Sequence, residues 1–170
     1  MEQPTGEQAA PAAFGFLTVV DSPAHGLFGG YLLVDAAGRP LEFHCTAPVR
    51  VSRAQQILYG ATLHGHLHGR QIGSVLLAEA TVEPAVVLTD LDSMLHVRAH
   101  TKLPVALVTR IDAGGAANGF TVGNVCVNPH VEDVAEETAL RAKLGPLVSS
   151  VDLIEPFERI RAAIEEAQRH

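Results

Sequence analysis

The sequence has no tryptophan and few other aromatic residues, with two tyrosines and six phenylalanines in 170 residues. A core must therefore be built by interdigitating alanine, valine, leucine and isoleucine side chains. No window approaches the roughly 20 uninterrupted apolar residues that a membrane span requires. The N-terminal "MEQPTGEQAAPAA" is acidic and lacks the apolar centre of an export signal. We expect a cytoplasmic protein without membrane contact.

Positive charge is scarce as well. Lys102 and Lys143 are the only lysines, and the net charge is -7 at pH 7. Nucleic-acid binding requires clustered lysines and arginines that displace counterions from phosphates, and the arginines of this chain are scattered. The sequence therefore predicts no nucleic-acid partner.

The chain also lacks a complete catalytic motif, since no G-x-S-x-G, P-loop or dinucleotide-binding glycine pattern is present. Its two cysteines, Cys45 and Cys126, are far apart, and we expect reduced, buried thiols, with a disulfide as the alternative. Cys45 follows His44, but neighbours on a strand point to opposite faces and cannot form a nucleophile and base pair.

The length and composition predict one α/β domain over residues 14–170, preceded by a loose tail over residues 1–13. The run "FGFLTVV" is typical of a strand, and "GGYLLVDAAGRPLEFHCTAPV" predicts a hairpin that turns around residues 37–39. Along the returning strand, apolar and polar residues alternate. We expect Leu41, Phe43 and Cys45 to pack inward and His44 to face solvent or a cleft.

A helical segment is predicted from Arg53 to about Ala80, with Ser52 as its N-cap. Four glycines interrupt it, and each costs up to about 1 kcal/mol relative to alanine inside a helix. We therefore expect two shorter helices that join near residues 60–70, with "LHGHLHG" at the junction.

The middle of the chain predicts a parallel βαβ unit. "PAVVLTD" and "LPVALV" are continuous apolar runs separated by the helical "LDSMLHVRAH". A loop, "TRIDAGGAANG", which we expect to be mobile, then leads to a strand, "FTVGNVCV". Asn128 and Pro129 are typical of a helix start, and Gly145 and Pro146 of its end. The predicted architecture is a single α/β domain with a mixed sheet, an N-terminal antiparallel hairpin, a parallel βαβ core and helices on both faces.

The last segment, "EPFERIRAAIEEAQRH", predicts an amphipathic helix. Phe157, Ile160 and Ile164 lie on one apolar stripe. The stripe either packs on the protein's own sheet or serves as a partner-binding or dimerisation helix.

Histidines are the most conspicuous candidates for chemistry. His64, His66 and His68 lie within five positions of one another, and His96 and His100 form a second pair one helical turn apart. Neutral imidazole is a favoured zinc ligand, so these five residues are candidate metal ligands. The alternative is that they lie on the surfaces of helices without binding metal.

A second group of candidates lies where open α/β sheets bind ligands. Asp90 and Asp92 follow a buried strand at its carboxyl end, so together with His44 they could line a ligand cleft. Asp90 or Asp92 could instead cap the helix that follows.

The element order over roughly residues 30–108 resembles the cytidine-deaminase-like fold. Zinc deaminases carry a His-x-Glu and a Pro-Cys-x-x-Cys motif, whereas this chain has "HCT" and "TDLDSM" at the corresponding positions. The resemblance therefore implies no deaminase activity. The stretches "GGYLLVDAAGRPLEFHCTAPV", "RAQQILYG" and "EPFERIRAAIEEAQ" also resemble a family of uncharacterised bacterial proteins, which implies no activity and no catalytic residues.

Two functional hypotheses follow. The first is a non-catalytic accessory or protein-interaction subunit, with a protein partner or a second copy of the chain bound through the C-terminal helix. The alternative is a zinc-dependent hydrolase or metal-binding protein that uses His64, His66 and His68. The first hypothesis implies no cofactor and the second implies zinc.

Overall fold

The computed structural model describes residues 12–111 and 119–169. Its centre is a seven-stranded sheet in the order β3-β2-β1-β4-β5-β7-β6. The strands are β1 (Ala13–Ser22), β2 (Gly26–Asp35), β3 (Pro40–Cys45), β4 (Val87–Thr89), β5 (Val105–Arg110), β6 (Phe120–Val122) and β7 (Val125–Pro129). Most of the predicted tail and the centre of the loop expected to be mobile lie outside the described residues.

Helices connect β3 to β4 and β4 to β5, and further helices follow β7 at the end of the chain. The α-helices are α1 (Arg53–Tyr59), α2 (Leu63–Gly65), α3 (Ser74–Glu79), α4 (Glu137–Val148) and α5 (Glu155–Gln168). A π-helix, His66–Gly73, connects α2 to α3, and 3₁₀ helices span Gly60–Thr62, Asp92–His100 and Val131–Glu136. No helix of the described residues has the length and apolar character needed to cross a membrane.

The sheet is mixed, as predicted. β1 pairs antiparallel with β2 and parallel with β4, and β5 continues the parallel part. The predicted hairpin is β2 and β3, and the predicted βαβ unit is β4, the 3₁₀ helix Asp92–His100 and β5. The single strand expected for "FTVGNVCV" is wrong, because Gly123, with a φ of 59°, turns the chain into a hairpin of β6 and β7.

Helices cover both faces, which confirms the predicted layers. One face packs against α4 and α5, and the other against the π-helix, α3 and the 3₁₀ helix Asp92–His100. Phe157, Ile160 and Ile164 are at most 1% exposed and belong to the core beneath α5. The alternative of a partner-binding stripe at these three residues was therefore wrong, because the stripe is used by the sheet of the same chain.

The boundaries of two helices differ from the prediction. α4 continues through Pro146, because Leu140, Leu144 and Leu147 lie on its buried face and their burial outweighs the loss of one backbone hydrogen bond near the helix end. The preceding 3₁₀ helix begins at Val131, with the His130 side chain as its cap, since Pro129 still belongs to β7. The cysteines are free, as expected, but Cys45 is exposed and Cys126 is partly buried.

The glycines of the predicted helical segment have different roles. Gly60, with a φ of 53°, ends α1, so the break occurs at the start of the predicted junction. Gly65, Gly69 and Gly73 instead form a stripe against the 3₁₀ helix Asp92–His100. At Gly69 a Cβ atom would lie 2.9 Å from the backbone carbon of His96, so these two helices pack with their backbones almost in contact. The "LHGHLHG" segment is therefore inside a helix and not at a junction.

Replacing Gly69 by alanine tests this close approach. The new methyl group meets backbone atoms that cannot rotate away, so we expect Gly69→Ala to lower the free energy of unfolding by roughly 1–3 kcal/mol. Gly65→Ala is the matched control, because there the nearest atoms belong to the exposed His96 ring, which can turn aside. Denaturant unfolding measures both, and equal stabilities of the two variants would contradict the backbone contact.

Candidate functional site

The structure separates the five candidate metal ligands. His64 and His68 lie one turn apart with ring centroids 5.6 Å apart, whereas His66 stacks on Tyr59 at 4.5 Å. His96 and His100 are exposed on the 3₁₀ helix Asp92–His100. Within residues 12–111 and 119–169, no three histidine, cysteine, aspartate or glutamate side chains are grouped so that they could hold a metal ion. Zinc binding by the histidines stays a prediction.

His68 is buried between the two helices that the glycine stripe joins. It is 8% exposed, and its Nδ1 shares a hydrogen bond with the hydroxyl of Ser93. Burial, together with the neighbouring His64, lowers the pKa of His68 to about 4. His68 is therefore neutral near pH 7 and links the π-helix to the start of the 3₁₀ helix.

The lowered pKa of His68 predicts a dependence of stability on pH. The unfolded chain takes up this proton below a pH of about 6.5, whereas the folded chain does so only near pH 4. Stability should therefore fall as the pH falls from about 6.5 to about 4, by up to about 3 kcal/mol. The measurement is urea unfolding of the original protein and of His68→Asn across this range. Parallel pH profiles for the two proteins would contradict the prediction.

A polar contact closes the carboxyl end of β4, next to the middle of β1. The Thr18 hydroxyl donates to Oδ1 of Asp90 at 2.6 Å, and the Arg161 guanidinium of α5 pairs with Oδ2. Both oxygens of Asp90 are thus engaged within the protein. Asp92 is exposed in the first turn of its helix, and the N-cap residue is Leu91, with no side-chain cap bond. The alternative that Asp90 or Asp92 caps this helix was therefore wrong.

The faces of β3 are reversed relative to the prediction. Leu41 and Phe43 are 45% and 40% exposed and Cys45 is exposed, whereas Glu42 and His44 are partly buried. β3 is an edge strand, and its alternation does not report which face the helices cover. Instead of lining a cleft, His44 donates from Nε2 to Oε1 of Glu42 at 2.8 Å when that nitrogen carries the proton.

Glu42 ties β3 to the segment between α3 and β4. Its carboxylate accepts hydrogen bonds from the backbone N–H groups of Thr81, at 3.1 Å, and Val82, at 2.9 Å, and from the Thr81 hydroxyl. Together with the bond from His44, these lower the pKa of Glu42 to about 2. We name this arrangement of Glu42, His44, Thr81 and Val82 the Glu42 clamp.

Replacing Glu42 by glutamine tests the clamp in a lower pH range than His68. Because the folded pKa of Glu42 is depressed, its contribution is present above the unfolded pKa, near 4.3, and is lost as the pH falls towards 2. We expect Glu42→Gln to lower the melting temperature at pH 7, and the difference from the original protein to vanish near pH 2. Thermal unfolding followed by circular dichroism measures this. A constant difference between pH 7 and pH 2 would count against the clamp.

An open cavity of about 580 Å³ lies at the amino ends of the central strands β4 and β5. Residues 80–85 and 101–104 form its walls, with Tyr31, Leu77 and Lys143. Two residues of the Glu42 clamp, Thr81 and Val82, are part of this wall. The volume is within the usual range of roughly 300–1,000 Å³ for small-molecule sites. We name it the lysine cavity, because both lysines of the chain border it.

Two lysine ammonium groups and a tyrosine with a buried hydroxyl line the lysine cavity. Lys102 precedes β5 and Lys143 lies on α4, and neither has an ion-pair partner among the described residues. Tyr31 is 1% exposed, and its hydroxyl has no hydrogen-bond partner in the described part of the chain. Burial, and secondarily the charge of Glu42, raises the pKa of Tyr31, so the phenol stays protonated and can donate a hydrogen bond.

Gly15 gives the Tyr31 ring its position. The ring crosses β1 above Gly15, where a Cβ atom would lie 2.7 Å from the Tyr31 hydroxyl. Sequence reasoning missed this site because its residues come from four distant segments. The one available signal was that a chain of 170 residues contains only two lysines, and no periodicity indicates that they meet.

Comparisons with known proteins find similarity only in structure. No family model and no curated protein matches the sequence. Human endonuclease V aligns at 12% identity and a TM-score of 0.47, covering 91% of this chain and 86% of that chain. Endonuclease V of Ciona intestinalis, in complex with a 23mer DNA that contains inosine, aligns at 12% identity and a TM-score of 0.41, covering 78% of this chain and 56% of that one. Marinitoga piezophila Argonaute with a 5′ OH guide RNA has a TM-score of 0.34 at 12% identity, covering 76% of this chain and 25% of that chain.

These comparisons correct several expectations. The structural neighbours named above include endonuclease V, so the predicted resemblance to the cytidine-deaminase-like fold was wrong, and no family model supports the bacterial family. The exclusion of nucleic acid conflicts with neighbours that were solved in complex with DNA. The function predicted first, a non-catalytic interaction subunit, conflicts with neighbours that are endonucleases. These expectations are withdrawn.

Proposed function

We propose that this protein binds an anionic group of a ligand in the lysine cavity. The observation that carries the proposal is the convergence of both lysines, each without an ion-pair partner among the described residues, on one cavity of a chain with a net charge of -7. An overall negative protein repels anions at long range, so an anion needs a local group of positive charges such as these two ammonium groups.

The opposite edge of the sheet is less suited to a ligand. Open α/β sheets commonly bind ligands at the carboxyl ends of their strands, but there Arg161 and Thr18 already occupy the oxygens of Asp90. The lysine cavity has polar groups at its border and apolar side chains such as Leu77, Val82 and Leu103 in its walls. This combination is typical of small-molecule sites, where apolar walls supply contact and a few polar groups fix orientation.

Removing the two ammonium groups should abolish anion binding. A hydrogen bond to a charged group contributes roughly 1.5–3 kcal/mol, so we expect Lys102→Met and Lys143→Met each to weaken binding at least about tenfold. Isothermal titration calorimetry with phosphate, sulfate and citrate at constant ionic strength measures this.

Arg70→Met is the matched control. It removes the same charge from an exposed position that does not border the cavity, so anion affinity should be unchanged. Equal losses in the control and in the lysine variants would reduce the effect to net charge and contradict the proposal. Lysine-independent cleavage of an inosine-containing DNA in the presence of Mg²⁺ would replace the proposal by an endonuclease function.

A further inference from the structure

We infer that the anion in the lysine cavity is a phosphate monoester whose phosphoryl group is bound by Lys102 and Lys143, with the Tyr31 hydroxyl donating to the same ligand. This inference rests on the proposed function and names the chemical class of its ligand. Three observations support it. Two lysines border the cavity, the Tyr31 hydroxyl has no hydrogen-bond partner among the described residues, and the cavity is large enough for an organic group.

The number of cations at the cavity favours phosphate over carboxylate. Arginine binds carboxylates and phosphates alike through two parallel hydrogen bonds, whereas lysine acts as a point charge, so here the ligand's charge matters more than its shape. Both cations of the cavity are lysines, and no arginine is among its lining residues. The two ammonium groups together carry a charge of about +2, which matches the charge of about -1.5 to -2 that a phosphate monoester carries near pH 7, whereas a carboxylate carries only -1.

Tyr31 supplies the third contact. A buried polar group without a partner costs roughly 1–3 kcal/mol, and Gly15 leaves the space that keeps the Tyr31 ring in this costly position. A protonated phenol can donate to a phosphoryl or ester oxygen. Tyr31 lines the cavity but its hydroxyl is shielded from solvent, so the ligand has to displace a wall atom to accept this hydrogen bond.

The size and walls of the cavity require more than a bare phosphate ion. Its volume of about 580 Å³ leaves room for an organic group, and Leu77, Val82 and Leu103 offer apolar contact to it. Glu83 can accept a hydrogen bond from a hydroxyl or amino group of the ligand. The organic part is either a small metabolite or the terminal nucleotide of a nucleic-acid strand, since both can carry the same monoester.

Three probes with the same ring separate the chemical classes. Phenyl phosphate is a monoester, methyl phenyl phosphate is the corresponding diester, and benzoate is a carboxylate. We expect phenyl phosphate to bind at least about tenfold more tightly than the other two by calorimetry, and its binding to disappear in the Lys102→Met, Lys143→Met double variant. Equal, lysine-dependent affinities for benzoate and phenyl phosphate would overturn the inference but leave the proposed function. Absence of lysine-dependent binding of any anion would overturn both.

Tyr31→Phe distinguishes a ligand contact from a structural role. Loss of one hydrogen bond should weaken phenyl phosphate about five- to tenfold, whereas the free energy of unfolding without ligand should stay the same or rise, because the variant removes an unpaired buried hydroxyl. Unchanged affinity would overturn the assignment of Tyr31, and so would a loss of affinity that merely follows a loss of stability.

Two further probes identify the source of the monoester. A short single-stranded oligonucleotide with a 5′ phosphate is compared with the same strand carrying a 5′ hydroxyl. If the phosphorylated strand binds more tightly than phenyl phosphate, and only with both lysines present, the monoester belongs to a nucleic-acid end. If phenyl phosphate binds more tightly, it belongs to a small metabolite. Both results support the shared phosphate chemistry.

Discussion

Hydrogen bonding on both sides of β1 holds the two halves of this sheet together. Along its whole length, Ala13–Ser22, the strand pairs antiparallel with β2, and residues 15–17 in its first half pair parallel with β4. Two residues of this strand contact the groups that lie at the two ends of the central strands. Gly15 makes room for Tyr31 near the amino end of β1, and Thr18, in the middle of β1, binds Asp90 at the carboxyl end of β4. A displacement of β1 would therefore alter both the lysine cavity and the Asp90 contact.

The two edges show how charge is distributed in a chain that has little positive charge. At the carboxyl end of β4, Arg161 neutralises Asp90 and attaches α5 to the sheet. At the amino ends of β4 and β5, Lys102 and Lys143 form no ion pair with any carboxylate of the described residues. A cationic side chain that pairs with a carboxylate of the protein contributes to folding. A cationic side chain that contacts only water remains available to a ligand. The two ends of these strands therefore differ in whether their cations form an ion pair within the protein.

Local sequence patterns predicted the strands and helices with strong periodicity. β1, the β2 and β3 hairpin, the parallel pair of β4 and β5 and the apolar stripe of α5 follow from alternation, continuous apolar runs and three- or four-residue spacing. The exposed face of β3 did not follow, because the coverage of an edge strand depends on distant helices. Neither did the glycine stripe, since loss of helix propensity at Gly69 is outweighed by a close contact with a helix 27 positions later at His96. The lysine cavity joins residues from Tyr31 to Lys143, and no local pattern carries that information.

The glycine stripe also has a consequence for the segment that carries Lys102. The 3₁₀ helix Asp92–His100 ends directly before residues 101–104, which form one wall of the cavity. Because Gly69 brings backbone against backbone, this helix has little freedom to shift, and its last residue presents a fixed starting point to the wall. The backbone contact at Gly69 thus fixes one end of that wall in the folded protein. An incoming ligand meets a preorganised surface and does not have to order it.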